Sequence, residues 1–128
     1  MSVTLGKVNL ALGNIQETLH HSQVLLETAT EVGNKEYAGK ALRLLGIGLW
    51  EQGDTREGKK RFEESLRTLE EVENKTELGK TCYELGQRLM RQKEHRPEGR
   101  AYLERAASIF KRVGVEEDLE QVMEVIAT

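Results

Sequence analysis

The residues that could carry out chemistry are few, and they do not form a catalytic set. Glu17, His20 and His21 are spaced i, i+3 and i+4, a pattern that could hold a metal ion on one helix face but is usually accidental. The single cysteine, Cys82, replaces a leucine in an apolar pattern and is interpreted as a small buried hydrophobic residue. No HExxH segment and no glycine-rich phosphate loop occurs. We therefore expect no enzyme activity, no cofactor and no metal site.

Composition narrows the class of protein further. The 128 residues correspond to one domain, and 19 basic against 22 acidic residues give a net charge of -3. Nucleic-acid-binding proteins usually show a clear basic excess, so we expect no nucleic-acid partner. No apolar run approaches the roughly 18 residues of a membrane span, and no signal peptide is recognisable. We expect a cytoplasmic protein that does not enter a membrane.

Internal repetition organises the chain. Residues 36–54 match residues 76–94 at six of nineteen positions when the sequence is shifted by 40. Residues 58–72 and 99–113 keep their apolar positions at a shift of 41. A period of this length is typical of helical repeat proteins. The predicted units are 1–34, 35–74 and 75–114, followed by a capping helix at 116–127.

Each unit has the pattern of two amphipathic helices. Leu42, Leu45 and Leu49 step by three and four positions, as the buried stripe of a helix does. Phe62, Leu66, Leu69 and Val72 continue the pattern in the second helix, and Leu26, Ala29 and Val32 do so one unit earlier. The predicted helices are 15–32, 35–52, 55–73, 76–92, 97–113 and 116–127, after one that ends near Ala11. In the last of them, Leu119, Val122, Met123 and Ile126 form the apolar stripe.

Glycines recur at the repeat period. Gly46 and Gly86 stand in the middle of predicted helices, where glycine costs about 1 kcal/mol relative to alanine. Gly58 and Gly99 occupy equivalent positions in the second helices. Recurrence of an unfavourable residue indicates a packing requirement, so we expect neighbouring helices to approach closely at these glycines. Gly33 and Gly114 are placed to terminate helices.

A spaced pattern of large and small residues runs through both full units and carries a family resemblance. It consists of Leu45-Gly46 and Leu85-Gly86, Leu49 and Leu89, the turn Gly53-Asp54, the small residues Gly58 and Gly99, Phe62 and Leu103, and the small residues Ser65 and Ala106. The chain thereby resembles the tetratricopeptide repeat family, in its long-repeat form. The resemblance implies an all-α fold, a right-handed α-solenoid of helix-turn-helix units with a C-terminal capping helix.

The first unit is shorter than the others. Only four residues precede Leu5-Gly6, whereas about ten precede the equivalent Leu45-Gly46. Because repeat arrays need their ends covered, we expect the chain to be a fragment of a larger protein or to associate with a copy of itself. The final helix carries five acidic and no basic residues, whereas residues 91–112 carry seven basic and three acidic ones. Mutual attraction between these two segments is the favoured interpretation.

By the resemblance, the first helices of the units line a concave groove. Lys7, Leu10 and Glu51 lie on those helices. Trp50 and Met90 could instead pack between helices, and Glu51 and Glu84 could neutralise the cations of the groove. The candidate binding residues are Lys40, Arg43, Ile47, Trp50, Lys80, Tyr83, Gln87, Met90 and Arg91.

The expected function is that of a protein-interaction module. The basic and aromatic character of the groove suits a peptide or partner protein with acidic groups. Two alternatives remain open: a regulatory or sensor domain of a larger bacterial ATPase, cyclase or transcription regulator, and a homo-oligomer formed through the shortened first unit. An RNA-reading helical repeat has the least support, because the signature is that of a protein-binding family.

Overall fold

The computed structural model describes residues 13–128, and these residues form six α-helices without a strand. The all-α prediction is therefore confirmed for the described part of the chain, whereas the predicted helix ending near Ala11 lies outside it. None of the described helices is both long and apolar enough to span a membrane. The helices are α1 (Gly13–Val32), α2 (Lys35–Gln52), α3 (Thr55–Glu71), α4 (Lys75–Leu89), α5 (Arg96–Val113) and α6 (Glu116–Ala127), with a 3-10 turn at Lys93–His95 before α5.

The helix starts are fixed by side-chain caps at the repeat period. The Oδ1 atom of Asn34 accepts the backbone N–H of Tyr37 at 3.0 Å, and Asn74 accepts that of Glu77 at 3.1 Å. Asp54 begins α3 in the same way. Each cap satisfies a backbone donor that has no partner within its own helix. Because Asn34 and Asn74 are 40 residues apart, α2 and α4 begin at equivalent points of the repeat.

The helix ends also recur, with one exception in residue type. Gly33 and Gly114 have φ values of +72° and +81°, the left-handed conformation that terminates a helix at little cost to glycine. Their predicted role is thus confirmed. The equivalent position between them is Glu73, with φ +57°. A side chain in this conformation is strained, so the middle helix end costs more than the outer two.

Two predicted helix ends are too long. The structure ends α3 at Glu71 and α4 at Leu89, whereas the predicted ends were at 73 and 92. After Leu89 the chain lacks a glycine that could form a left-handed cap. It turns through residues 90–92 instead, and the Nε atom of Arg96 donates to the Met90 carbonyl oxygen at 3.2 Å. Pro97 lies in the first turn of α5, as predicted.

The described chain divides between Thr68 and Leu69 into two compact units. The first contains α1, α2 and most of α3. In this unit α2 and α3 cross where their glycines meet. A Cβ atom at Gly46 would lie 3.1 Å from the Gly58 carbonyl oxygen, and one at Gly58 would lie 3.0 Å from the Gly46 oxygen. Phe62 fills the space beside the crossing and is fully buried.

The second unit contains the end of α3 together with α4, α5 and α6. Here the crossing of α4 and α5 is tighter: a Cβ atom at Gly86 would lie 2.9 Å from the Gly99 oxygen, and one at Gly99 would lie 2.8 Å from the Gly86 oxygen. Leu85 and Leu103 are fully buried beside it. The predicted close approach at the recurring glycines is confirmed in both units.

Four predicted stripe residues are exposed, so the prediction that they belong to the core is wrong. Val32 and Val113 are the last residues of their helices, Val72 is one residue beyond α3, and they are 71%, 39% and 37% exposed, respectively. At a helix end the apolar stripe extends beyond the neighbouring helix that would cover it, so its last residue is exposed. Met123 is 50% exposed within α6, although its neighbour Val122 is fully buried.

Candidate partner-binding surface

The candidate residues of α2 lie along one side of that helix. Lys40, Arg43 and Ile47 are spaced three and four positions apart, and all three are half-buried. The Lys40 ammonium lies 5.3 Å from the centre of the Tyr37 ring, where the negative face of the ring attracts a cation. Tyr37 is itself 61% exposed. The α2 row (Lys40, Arg43, Ile47) therefore combines two cations with accessible apolar surface.

Trp50, which the sequence placed among the binding candidates, is a core residue. It is only 7% exposed, and its ring lies 6.4 Å from that of Phe62 at an angle of 59°. This tilted arrangement is a favourable one for two aromatic rings. The absence of a side chain at Gly58 lets α3 approach the backbone of Trp50, because a Cβ atom there would lie 3.0 Å from the Trp50 backbone nitrogen. Trp50 does not belong to an accessible surface.

The candidate residues of α4 remain more accessible. Lys80, Tyr83, Gln87 and Met90 are half-buried, and Arg91 is exposed. They also follow the helical spacing of three and four positions. The structure thus brings these five residues to one side of α4 and the turn that follows it. We refer to them as the α4 row (Lys80, Tyr83, Gln87, Met90 and Arg91).

Neighbouring carboxylates partly neutralise the α4 row. The Lys80 ammonium lies 3.4 Å from Glu77, one helical turn before it. Glu84 accepts a hydrogen bond from the Gln87 amide at 3.4 Å, but its shortest contact, 2.6 Å, is with Arg88. Surface ion pairs of this type contribute little, because solvent competes with them. The row therefore keeps cationic groups that a partner's carboxylates could bind.

Arg88 is a feature that the sequence prediction missed. The side chain is 2% exposed, and its Nη1 atom donates to the Glu84 carboxylate at 2.6 Å and to the Glu84 carbonyl oxygen at 3.1 Å. A buried guanidinium needs such partners, because an unpaired buried charge is strongly destabilising. The i, i+4 spacing of Glu84 and Arg88 was the available signal. The repeat alignment obscured it by placing Gly48 at the equivalent position.

Tyr83 lies at the side of the α4 row that faces α6. Burial raises the pKa of its phenol, the charge of Glu84 raises it further, and Glu124 of α6 adds a smaller effect in the same direction, whereas Arg88 lowers it. The phenol therefore stays neutral at physiological pH. It can donate a hydrogen bond to a carboxylate or accept one from a ligand.

The other chemical candidates behave as ordinary structural residues. Glu17, His20 and His21 are exposed on α1, and within residues 13–128 no three His, Cys, Asp or Glu side chains are grouped as metal ligands. Cys82 is fully buried, as predicted. Burial raises the pKa of its thiol to about 11, against a smaller opposing effect of Arg105. A thiol in this state is a poor nucleophile.

The expected attraction between the basic segment and the last helix is not made by ion pairs. Arg105 pairs with Glu70 of α3 at 2.7 Å, and Arg100 pairs with Glu104 of its own helix at 3.4 Å. Among the described residues, none of the five acidic side chains of α6 takes part in an ion pair. Within residues 13–128 the carboxylates of α6 are therefore not paired with a basic side chain.

The comparisons with known proteins do not assign a family. No family model, no curated protein and no solved structure matches the chain. The tetratricopeptide resemblance stays a prediction from the spacing of the residues.

Proposed function

We propose that this protein is a helical-repeat interaction module for extended, acidic peptide segments, and that the α2 row and the α4 row each bind such a segment. No catalytic step is assigned to it. The finer description of the fold, a right-handed solenoid of tetratricopeptide-like units, belongs to the same proposal and rests on the sequence resemblance alone.

The observation that carries the proposal is the accessibility of the α4 row. The remaining circumference of α4 is packed, with Thr81, Cys82, Leu85 and Leu89 at most 1% exposed. Only the side that carries Lys80, Tyr83, Gln87 and Met90 stays half-open. Tyrosine and arginine are the residue types that contribute most to binding at protein interfaces. A helix that is otherwise largely buried and carries these residues on its open side has the chemistry of a recognition surface.

The charge of the two rows defines the partner. Lys40 and Arg43 in the α2 row, and Lys80 and Arg91 in the α4 row, are all basic. Ile47 and Met90 add apolar surface beside them. A suitable segment therefore alternates carboxylates with apolar side chains. Its binding should weaken as salt is added, because the cations are close to solvent.

A charge-reversal variant tests the proposal. The probe is a fluorescent pool of decapeptides in which half of the positions are Asp or Glu and the remainder Leu or Phe. We expect Arg43→Glu with Arg91→Glu to weaken binding of this pool at least about tenfold, since two interfacial charges change sign. The matched control is Lys60→Glu with Arg67→Glu, which makes the same change of net charge at exposed positions of α3.

Fluorescence anisotropy measures the affinity, and circular dichroism verifies that each variant keeps its helices. Equal weakening by the control pair would mean that net charge alone attracts the peptides. Unchanged binding by the Arg43/Arg91 variant would contradict the proposal. It would move attention to the self-association alternative, which sedimentation analysis of the full chain measures independently.

A further inference from the structure

Helix α6 repeats the apolar register of α4. The shift is 41 residues, the same as between the second helices of the two full units. Position by position, α6 therefore corresponds to the first helix of a repeat unit, although no second helix of that unit is present in residues 13–128. The equivalent pairs are Leu78/Leu119, Cys82/Met123 and Leu85/Ile126; we call the first members the α4 stripe and the second members the α6 stripe.

The two stripes differ in burial. All three residues of the α4 stripe are at most 7% exposed, and α5 approaches α4 at Gly79 and Gly86, which directly follow Leu78 and Leu85. In the α6 stripe, Met123 is 50% exposed, and Leu119 and Ile126 are half-buried. Val122 is fully buried and fixes α6 on its own unit. The α6 stripe is therefore the apolar half of a helix pair whose other half is missing from the described chain.

The position of Glu120 indicates which side chain would face a helix packed on the α6 stripe. It is equivalent to Gly79, where a Cβ atom would lie 2.7 Å from the Phe110 ring of α5. A side chain at this position is thus directed towards the second helix of the pair. In α6 that side chain is a carboxylate. A helix seated on the α6 stripe would need a cation at the place that Phe110 occupies in α5.

The charge of α6 supports the same conclusion. Its residues include five acidic and no basic ones, and within the described chain none of them is in an ion pair. The three acidic residues of the first turn are explained by the helix dipole, which favours negative charge there. Glu120 and Glu124 lie beyond that turn and have no such explanation. They lie next to Met123 along the helix.

A second copy of this chain is a poorer occupant. The exposed apolar residues Val24 and Leu25 of α1 are the obvious contact that a copy could offer. However, α1 carries Glu17, Glu27 and Glu31 and no lysine or arginine. Two acidic helices placed side by side repel each other.

We propose that the α6 stripe, together with Glu120 and Glu124, is a docking site for a basic amphipathic helix of another protein, seated on α6 as α5 is seated on α4. The site shares no residue with the α2 row or the α4 row, although Glu124 lies near Tyr83 of the α4 row, and it prefers the opposite charge. It therefore does not depend on the proposed function. Apolar burial supplies the affinity, and the carboxylates select the partner.

The probe for this site is a labelled peptide based on α5 itself. It has the sequence Arg96–Val113 with Glu98→Gln, Glu104→Gln and Phe110→Lys, so that it keeps Leu103 and Ala106 of the apolar row of a second helix and presents a cation to Glu120. A control peptide carries the additional change Leu103→Lys, which raises the positive charge but removes the central apolar contact.

We expect the first peptide to bind the full chain in fluorescence anisotropy at about 0.15 M salt, where weak long-range attraction is screened. Met123→Glu and Glu120→Lys should each weaken binding at least about tenfold, because one removes the apolar contact and the other reverses the selecting charge. The matched control, Glu27→Lys, makes the same charge change at an exposed residue of α1 and should alter binding less than about threefold. The control peptide should bind at least about tenfold more weakly. Arg43→Glu with Arg91→Glu should leave the affinity unchanged.

Three results would overturn the proposal. The first is no binding at millimolar peptide with all helices intact by circular dichroism. The second is equal weakening by Glu27→Lys and Glu120→Lys, or equal binding of the two peptides, because either would reduce the interaction to bulk charge. The third is an oligomeric full chain that Met123→Glu converts to a monomer, since the occupant would then be a second copy.

Discussion

At the crossing of α2 and α3, Gly46 and Gly58 bring two backbones together; at the crossing of α4 and α5, Gly86 and Gly99 do the same. The positions are 40 and 41 residues apart. Both pairs leave room for a large side chain beside the crossing, Phe62 in one hairpin and Leu103 in the other. The two copies of the repeat therefore share the close approach of their helices, whereas the side chains that fill the space beside the crossing differ.

Next to this common frame the two hairpins differ in chemistry. At one position, Gly48 accommodates Leu19 of α1, whereas the equivalent Arg88 is itself buried and binds Glu84. At another, Trp50 is buried, whereas the equivalent Met90 is half-buried. The α2–α3 hairpin uses its large aromatic residue for the core. In the α4–α5 hairpin the equivalent Met90 stays half-buried, so the α4 row keeps an accessible apolar side chain that the α2 row lacks at this position, which makes the α4 row the stronger candidate for binding.

The connections between the two helices of each hairpin differ in length. Gly53 adopts a left-handed conformation, so α3 starts only three residues after α2 ends at Gln52. After Leu89 no glycine is available, and a turn with a 3-10 segment precedes α5. The missing glycine explains why the α4–α5 hairpin needs a longer link than its counterpart.

The largest effect should come from the central leucines, which test whether each hairpin is built on the predicted apolar stripe. Leu85→Ala and Leu45→Ala should each lower the free energy of unfolding by about 2–5 kcal/mol, since the residues are 0% and 4% exposed. Urea unfolding followed by circular dichroism measures the loss. Val113→Ala, at a 39% exposed site, is the control and should cost well under half of that. A loss below about 0.5 kcal/mol at both leucines would show that the apolar stripe has the wrong phase.

Replacing the helix-crossing glycines by alanine should have an intermediate effect on stability, and that effect should differ between the two crossings. Alanine is the better helix former by about 1 kcal/mol, but crowding a packed interface costs about 1–3 kcal/mol. The Cβ atom of Gly86→Ala would meet the Gly99 oxygen at 2.9 Å, whereas that of Gly46→Ala would meet the Gly58 oxygen at 3.1 Å. We therefore expect Gly86→Ala to destabilise by about 1–2 kcal/mol and Gly46→Ala by less.

Ala101→Gly, at an exposed position of α5, measures the helix-propensity contribution alone. If Gly46→Ala and Gly86→Ala each raise the free energy of unfolding by as much as Ala101→Gly lowers it, the close approach at the crossings is refuted.

The smallest effect concerns the helix ends that separate the repeats. Glu73→Gly should stabilise the protein by about 0.5 kcal/mol, because relief of the left-handed strain exceeds the entropy that glycine adds to the unfolded chain. Gly114→Ala, at the equivalent glycine, should destabilise by about 1 kcal/mol. Thermal and urea unfolding compare the two. Destabilisation by Glu73→Gly would mean that the glutamate side chain has a role at this turn beyond ending a helix.

The sequence predicts those features that repeat. The period, the helix pairs and the close approach at Gly46 and Gly86 follow from residues that recur. The same conformational requirement selects the same residue type at both equivalent positions. The core role of Cys82 follows from its place in the stripe. These features are set by backbone geometry and apolar periodicity.

Features that depend on neighbours in space are not predictable in this way. Trp50 and Met90 have equivalent positions, and only packing against Phe62 decides that the tryptophan is buried. The stripe of α6 has a regular sequence pattern, but the exposure of Met123 depends on whether a second helix covers it. The burial of Arg88 likewise depends on local packing that no single-residue pattern contains.

We infer that α2–α3 and α4–α5 are copies of one hairpin, each held by a glycine crossing, and the comparison of α6 with α4 depends on this repetition. Nuclear Overhauser effects between glycine α protons, recorded on full-length protein labelled only at glycine, test this directly. Cross-peaks between Gly46 and Gly58 and between Gly86 and Gly99 are the predicted result. Absence of both cross-peaks in a folded, helical sample would contradict the account.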